Sequence, residues 1–130
     1  MSAIYLDTSA LVRMLLGEPD APAVERELDT FDRRIASRLL QVELRRVGLR
    51  EDCLHDVDQF LAGVSFIAMD DEILAAAATI IPTTVATLDA IHLATAVHLS
   101  RAGELDALMT YDKQLAAGAR AHNITVLSPS

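Results

Sequence analysis

The sequence predicts one α/β domain, residues 1–130, in which a mainly parallel sheet of about five strands is covered by helices on both faces. Short apolar runs alternate along the chain with longer runs whose apolar residues recur every three or four positions. This alternation is typical of strands joined by crossover helices. The apolar character of the strands fits their burial on both sides of the sheet.

The predicted elements follow one another without a long linker, an internal repeat or a low-complexity tract. Strands are predicted at residues 3–6, 34–37, 64–69, 108–111 and 124–127. Helices are predicted at residues 8–16, 22–31, 38–50, 52–62, 71–81, 88–100 and 112–122.

Capping residues set several of these boundaries. Gly17 is expected to end the first helix, with Pro19 just beyond it. Asp70 and Thr87 carry oxygens that can accept hydrogen bonds from the free N–H groups of a first helical turn, so each is predicted to cap the helix that follows it. Pro82 is expected to stop the helix that Asp70 starts.

The composition narrows the class of protein. With 52% hydrophobic and 23% charged residues, the chain is expected to be ordered. Cys53 is the only cysteine, so no disulfide can form within the chain and no thiolate zinc site is expected. We therefore expect a reducing, cytoplasmic location. No signal peptide is predicted, and no apolar run approaches the roughly 20 residues of a spanning helix.

The net charge of −8 argues against nucleic-acid binding, because phosphate contacts need Lys and Arg. The distribution of charge weakens that objection. Six of the 11 basic residues lie within residues 33–50, where Glu43 is the only acid. This arginine cluster suits RNA phosphates, although a solvated helix face with ion pairs is the commoner use of such residues.

Two aspartates follow predicted strands. Asp7 follows the first strand and Asp112 the fourth. Ligands of parallel α/β folds bind beyond these carboxyl ends of the strands, which favours a functional site there. Each aspartate also stands at the start of a predicted helix, so helix capping explains each of them equally well.

Two further acids lie inside predicted helices. Asp89 lies in the first turn of a strongly apolar helix, where an unpaired carboxylate is costly, and this favours a functional role. For Glu43, a surface ion pair with Arg46 or Arg50 is the simpler explanation. Taken together, the four carboxylates suit Mg²⁺ or Mn²⁺, which prefer several oxygen ligands. Their spacing alone leaves open whether they converge.

Four segments carry these acids: YLDTSALV at residues 5–12, QVELRR at 41–46, LDAIHLATA at 88–96 and TYDKQL at 110–115. In this order and over nearly the whole chain, they resemble the acidic motifs of the PIN-domain family, and specifically those of the VapC group of bacterial toxin nucleases. One departure is His122-Asn123, where family members often carry glycine. Asn123 can adopt the left-handed C-cap conformation, so little consequence is expected.

The resemblance implies a PIN-like three-layer α/β/α sandwich that acts as a metal-dependent endoribonuclease. It further implies a homodimer and a cognate VapB-type antitoxin. Asp7, Asp89 and Asp112 would contact Mg²⁺ or Mn²⁺, and a metal-activated water would attack the RNA phosphodiester. Glu43 would bind the metal directly or through water.

The resemblance also suggests roles for residues around the acids. Three hydroxyl groups would orient carboxylates or water, those of Thr8, Ser9 and Thr110. Four arginines are candidates for contact with RNA or the antitoxin: Arg13, Arg38, Arg45 and Arg46. His92 lies three residues after Asp89 and is expected to be a hydrogen-bonded structural histidine rather than a metal ligand. The acidic run at residues 70–72 is better explained by a capped helix start than by a second metal cluster.

Two other functions compete with the nuclease. A phosphoacceptor receiver domain is also a small acidic α/β protein. It would carry paired acids after the first strand and a lysine after the last, where this chain has Thr8 and Ser128. The second alternative is a catalytically inactive PIN-like module that binds RNA or protein, and the complete set of four acids argues against it.

Overall fold

A five-stranded parallel sheet forms the centre of the computed structural model, which describes residues 2–130. Its strands are β1 (Ala3–Leu6), β2 (Arg33–Ser37), β3 (Ser65–Ile67), β4 (Ala107–Met109) and β5 (Val126–Leu127). They are ordered β3-β2-β1-β4-β5, and every neighbouring pair is parallel.

Helices cover both faces of this sheet. Within residues 2–130 they are α1 (Thr8–Leu15), α2 (Ala21–Leu28), α3 (Arg38–Arg50), α4 (Leu54–Leu61), α5 (Asp71–Thr79), α6 (Thr87–Arg101) and α7 (Lys113–Ala121). Side chains of β1 alternate between the two faces. Ile4 and Leu6 pack into one core with residues of α1 to α4, whereas Tyr5 packs into a second core with residues of α6 and α7. The predicted three-layer α/β/α fold is therefore confirmed.

Several predicted boundaries are also confirmed. Asp70 caps α5, because its Oδ1 accepts from the backbone N–H of Ile73 at 2.9 Å. Gly17 and Asn123 both adopt left-handed conformations just after helices, with φ of 64° and 61°. Asn123 thus takes the conformation for which other sequences use glycine.

Other boundaries were predicted wrongly. Thr87 does not cap α6: the helix begins at Thr87 itself, and the capping position is held by Ala86, whose carbonyl accepts from Ala90 N at 2.8 Å. Asp89 still lies in the first turn. Helix α5 ends at Thr79 rather than residue 81, because Ile80 is already extended. The strands after β2 are shorter than predicted: β3 covers residues 65–67, β4 residues 107–109 and β5 residues 126–127.

The strand order places a crevice beside β1. The chain passes from β1 to β2 on one side of the sheet, and β4 pairs on the other side. Loops that leave neighbouring strands for opposite faces create a crevice at the carboxyl ends, which is where ligands bind in such sheets. Asp7 directly follows β1, and Thr110 directly follows β4.

No helix among residues 2–130 is long and apolar enough to cross a membrane.

Candidate active site

Asp7 occupies the N-cap position of α1, but its side chain makes no capping hydrogen bond. Instead, Oδ2 accepts from the hydroxyls of Ser9 at 2.7 Å and Thr110 at 2.8 Å. The residue is only 4% exposed. Capping therefore does not explain this carboxylate, because two hydroxyl groups hold it away from the helix amides.

Asp112 behaves differently. It caps α7 with its side chain, since Oδ1 accepts from the backbone N–H of Leu115 at 2.8 Å. Its own backbone N–H donates to the hydroxyl of Thr110 at 3.0 Å. The Thr110 hydroxyl thus contacts both Asp7 and the backbone of Asp112. Capping accounts for one oxygen of Asp112 and leaves the other free for a ligand.

Glu43 turns toward Asp7 from the first half of α3. Its Oε1 accepts from the hydroxyl of Thr8 at 2.8 Å and lies 2.7 Å from Nε2 of His92. Burial raises the pKa of Glu43, but the hydrogen bonds from His92 and Thr8 outweigh burial and lower it below its ordinary value. The ion pair with Arg46 or Arg50 considered from the sequence does not form, and Arg50 contacts Glu51 instead.

Asp89 is half-buried in the first turn of α6. Burial and the negative charges of Asp7 and Asp112 raise the pKa of Asp89 to about 6. Glu43 adds to this effect. The charges of all four predicted acids therefore interact at the carboxyl edge of the sheet.

These acids do not form a closed metal cage. Among residues 2–130, no group of three or more His, Cys, Asp or Glu side chains is already arranged to hold a metal ion. The donors at this edge are carboxylate and hydroxyl oxygens, which suit hard cations such as Mg²⁺. Burial is the largest cause of the raised pKa of Asp89, and the charges of Asp7 and Asp112 that add to it are charges a cation would offset. The donor chemistry thus fits a divalent metal.

The four candidate arginines lie in three different places. Arg13 on α1 stacks on the ring of Tyr111, 4.2 Å from its centroid, and pairs with Asp20 at 3.0 Å, so it lies next to the turn that carries Asp112. Arg38 begins α3 and lies over the ring of Phe66. The remaining two line a surface groove between α3 and α4 that contains none of the four acids; they are Arg45 and Arg46.

His92 makes contacts in this site that its position in the sequence did not predict. It was expected to be hydrogen-bonded and structural, and it is completely buried. Its contact with Glu43 was not anticipated, nor was the contact of Nδ1 with the hydroxyl of Tyr5 at 2.7 Å. The available signal was its position three residues after Asp89, which places both side chains on one face of α6.

Comparison with known proteins gives the family. The model of the PIN domain family matches residues 4–121 of this chain. The chain is 36% identical to Ribonuclease VapC46 of Mycobacterium tuberculosis over 132 residues, which cover 100% of both proteins. It is 38% identical to Ribonuclease VapC35 of the same species over 130 residues, covering 97% of this chain and 96% of that protein. The chain therefore belongs to the PIN-domain family and falls among the VapC toxin ribonucleases, as the four acidic motifs predicted.

Solved structures of other proteins have a similar fold. A toxin–antitoxin complex from Klebsiella pneumoniae has a TM-score of 0.75 at 22% identity, covering 99% of this chain and 98% of that one. VapBC2 from Rickettsia felis, bound to a DNA fragment from its promoter, has a TM-score of 0.69 at 16% identity, covering 98% and 99%. At these identities the likeness concerns the fold alone.

Proposed function

We propose that this chain is the toxin of a VapBC-type toxin–antitoxin system and that it hydrolyses RNA phosphodiester bonds with Mg²⁺ or Mn²⁺. Its active site would consist of four acids, Asp7, Glu43, Asp89 and Asp112. The observation that carries the proposal is the position of Asp7. It follows the central strand, is nearly buried, and is held by hydroxyl groups rather than used as a helix cap.

The side chains around the acids support this role. The hydroxyls of Ser9 and Thr110 fix Oδ2 of Asp7, so Oδ1 keeps its lone pairs for a ligand. The hydroxyl of Thr8 likewise fixes Oε1 of Glu43 by donating a hydrogen bond to it. Hydrogen bonds of this kind orient metal ligands before the metal arrives.

Asp7, Asp89 and Asp112 would hold the cation, and Glu43 would bind it directly or through water. When bound, a divalent cation supplies positive charge for the phosphate and lowers the pKa of a water molecule. Mg²⁺ is usually held by one or two carboxylates, with water and substrate phosphates as further ligands, so a closed cage of protein ligands is not required.

The charge distribution offers a path for RNA. Arg13 is held by Asp20 and stacked on Tyr111, and this geometry fixes a guanidinium beside the turn of Asp112. A guanidinium suits phosphate because its N–H groups can donate in pairs. Arg38, at the start of α3, provides a second cation at the same edge.

Two partners are part of the proposal. The solved structures with this fold include a toxin–antitoxin complex and a VapBC complex, which supports a VapB-type antitoxin for this chain. Homodimer formation rests on the family resemblance and stays a prediction. Size measurement of the purified protein with and without a co-expressed antitoxin tests both.

The nuclease activity is tested by incubating the purified protein with total RNA in Mg²⁺, Mn²⁺ or EDTA. The matched variants are Asp89→Asn and Asp52→Asn. Asp52 is exposed and lies beyond the far end of α3, roughly 20 Å along that helix from the carboxyl edge. It has a φ of 54°, a conformation that asparagine also accepts.

Discrete RNA fragments that require metal, persist in Asp52→Asn and vanish in Asp89→Asn support the proposed nuclease. Absence of metal-dependent cleavage by antitoxin-free protein would favour the inactive binding module. The toxin role has its own test. Expression of the chain alone in a bacterium is expected to arrest growth, and Asp7→Asn is expected to relieve the arrest. Equal growth of both strains would contradict that role.

A further inference from the structure

A buried chain of hydrogen bonds runs behind the acidic site. The backbone N–H of Ser37 donates to the hydroxyl oxygen of Tyr5 at 3.2 Å. That hydroxyl lies 2.7 Å from Nδ1 of His92, and Nε2 of His92 lies 2.7 Å from Oε1 of Glu43. Tyr5 and His92 are both completely buried. These hydrogen bonds therefore connect β1 and α6 to an acid on α3, across the carboxyl edge of the sheet.

The donors and acceptors in this series of hydrogen bonds determine which atoms carry the protons. The Tyr5 oxygen accepts from Ser37, so its own proton needs an acceptor. Nδ1 of His92, 2.7 Å away, is placed to accept it, and the hydroxyl of Thr95 is a second hydrogen-bond neighbour of the Tyr5 oxygen. A phenol ordinarily ionises only near about pH 10, so the hydroxyl keeps its proton at neutral pH. Nδ1 must then be unprotonated, and Nε2 carries the proton that Glu43 accepts.

The opposite tautomer is costly. If Nδ1 carried the only ring proton, the unprotonated Nε2 would face Oε1 of Glu43 at 2.7 Å, which would bring two acceptors together with no proton between them. The Glu43 carboxylate and the Tyr5 hydroxyl therefore favour the same tautomer of the histidine.

We propose that Tyr5 and His92 are positioning residues for Glu43: the Tyr5 hydroxyl fixes His92 as the Nε2–H tautomer, and Nε2–H holds Oε1 of Glu43 so that its other oxygen faces the site. This inference rests on the proposed role of Glu43 in the nuclease. It also accounts for the location of His92 Nε2, 3.7 Å from Oδ1 of Asp7, where one imidazole N–H lies between two acids.

The tautomer is measured directly by long-range ¹H–¹⁵N correlation spectra of the metal-free, full-length protein at neutral pH. The His92 signals are assigned from His92→Gln, or by elimination with Gln variants of the chain's other three histidines, His55, His98 and His122. The expected spectrum shows a protonated Nε2 and an unprotonated Nδ1. A proton on Nδ1 would overturn the proposal.

Tyr5→Phe keeps the ring and removes the hydroxyl. In the folded variant, the Nδ1 signal is expected to shift, because nothing donates to Nδ1. An unchanged His92 spectrum would contradict the proposal. Should Tyr5→Phe not fold, the wild-type spectrum alone decides, since it reports which nitrogen carries the proton.

Cleavage rates then test the consequence for Glu43. Loss of a hydrogen-bond partner of a metal ligand typically lowers activity or metal affinity by about 10- to 100-fold. We expect that range for His92→Leu, with partial recovery in His92→Gln, whose amide can still donate. His98→Leu is the matched control, because His98 is exposed on the same helix. Full activity of a folded His92→Leu protein would overturn the positioning role.

The two proposals fail in different ways. If Glu43→Gln keeps full activity, the proposed active site is wrong, while the spectrum still reports whether Tyr5 selects the tautomer. If Glu43→Gln is inactive but the wild-type spectrum shows a proton on Nδ1, the active site stands and the Tyr5–His92 inference falls.

Discussion

The hydroxyl of Thr110 donates to Oδ2 of Asp7 across 2.8 Å, although the two residues are 103 positions apart. The same hydroxyl oxygen accepts from the backbone N–H of Asp112 at 3.0 Å. Thr110 directly follows β4, and Asp7 directly follows β1, which pairs with β4. One buried hydroxyl thus fixes the first acid against the turn that carries the fourth.

Thr110→Val removes this hydroxyl with little change of shape. We expect kcat/KM for RNA to fall by about 10- to 100-fold, because Asp7 loses one of its two hydroxyl donors. The free energy of unfolding should also fall by about 1–3 kcal/mol, since the backbone N–H of Asp112 loses its acceptor. Cleavage assays and urea denaturation measure the two effects. Thr110→Ser keeps the hydroxyl and should restore most activity, and equal rates for the Val and Ser variants would count against the role of Thr110.

Arg13 is expected to contribute to RNA binding rather than to the chemical step. Arg13→Ala should raise KM with little change in kcat, because the guanidinium pairs with Asp20 and lies beside the turn of Asp112 without contacting any of the four proposed active-site acids. Removing one phosphate contact should also reduce the slope of log affinity against log salt by about 1. Arg120→Ala is the control, because Arg120 is exposed at the far end of α7. An identical salt dependence for both variants would show that Arg13 does not contact phosphate.

Gly48 sets the distance between α3, which carries Glu43, and α4. A Cβ at this position would lie 2.5 Å from Cγ2 of Val57 and 3.3 Å from the backbone of Leu54. Gly48→Ala should therefore destabilise the protein by about 1–3 kcal/mol through overpacking, despite the better helix propensity of alanine. Gly63→Ala is the control, because a Cβ there would meet nothing within 4 Å. Denaturation midpoints that are equal for the two variants would contradict this.

The sequence predicted the layers of this fold well because the pattern of apolar residues decides them. Helix α3 was placed correctly at both ends, since the strand before it ends at Ser37, whose hydroxyl accepts from Leu39 N. The start of α6 was missed because Thr87 looks like a cap, yet its side chain makes no capping hydrogen bond. Local capping residues are shared by several possible helix starts, so tertiary packing chooses between them.

The candidate site also contains features that local sequence patterns did not predict. From the sequence, Asp7 and Asp112 are equivalent, since each follows a strand and precedes a helix. In the structure only Asp112 caps its helix, because hydroxyls of Ser9 and Thr110 occupy the Asp7 carboxylate instead. Contacts between residues far apart in the chain decide the difference, and single-sequence patterns do not contain them. The contact of His92 with Glu43, 49 positions away, was missed for the same reason.

Asp89 gives the protein a specific dependence of stability on pH. Its pKa is raised from 3.8 to about 6 in the folded protein, so the folded state binds this proton more tightly than the unfolded state does. The resulting stabilisation is fully present below about pH 4 and is lost as the pH rises through about 6. At neutral pH the ionised side chain repels Asp7 and Asp112 in the metal-free protein.

Asp89→Asn removes this repulsion and keeps the shape of the side chain. In EDTA, the variant should therefore be more stable than the wild type above pH 6, and the difference should vanish near pH 4. Urea denaturation at several pH values measures it, with Asp52→Asn as the control for loss of one exposed charge. Added Mg²⁺ should raise the stability of the wild type more than that of Asp89→Asn, because ligand binding stabilises only the state that binds it. Equal stabilities of wild type and Asp89→Asn at neutral pH would contradict the raised pKa of Asp89 and its repulsion by Asp7 and Asp112.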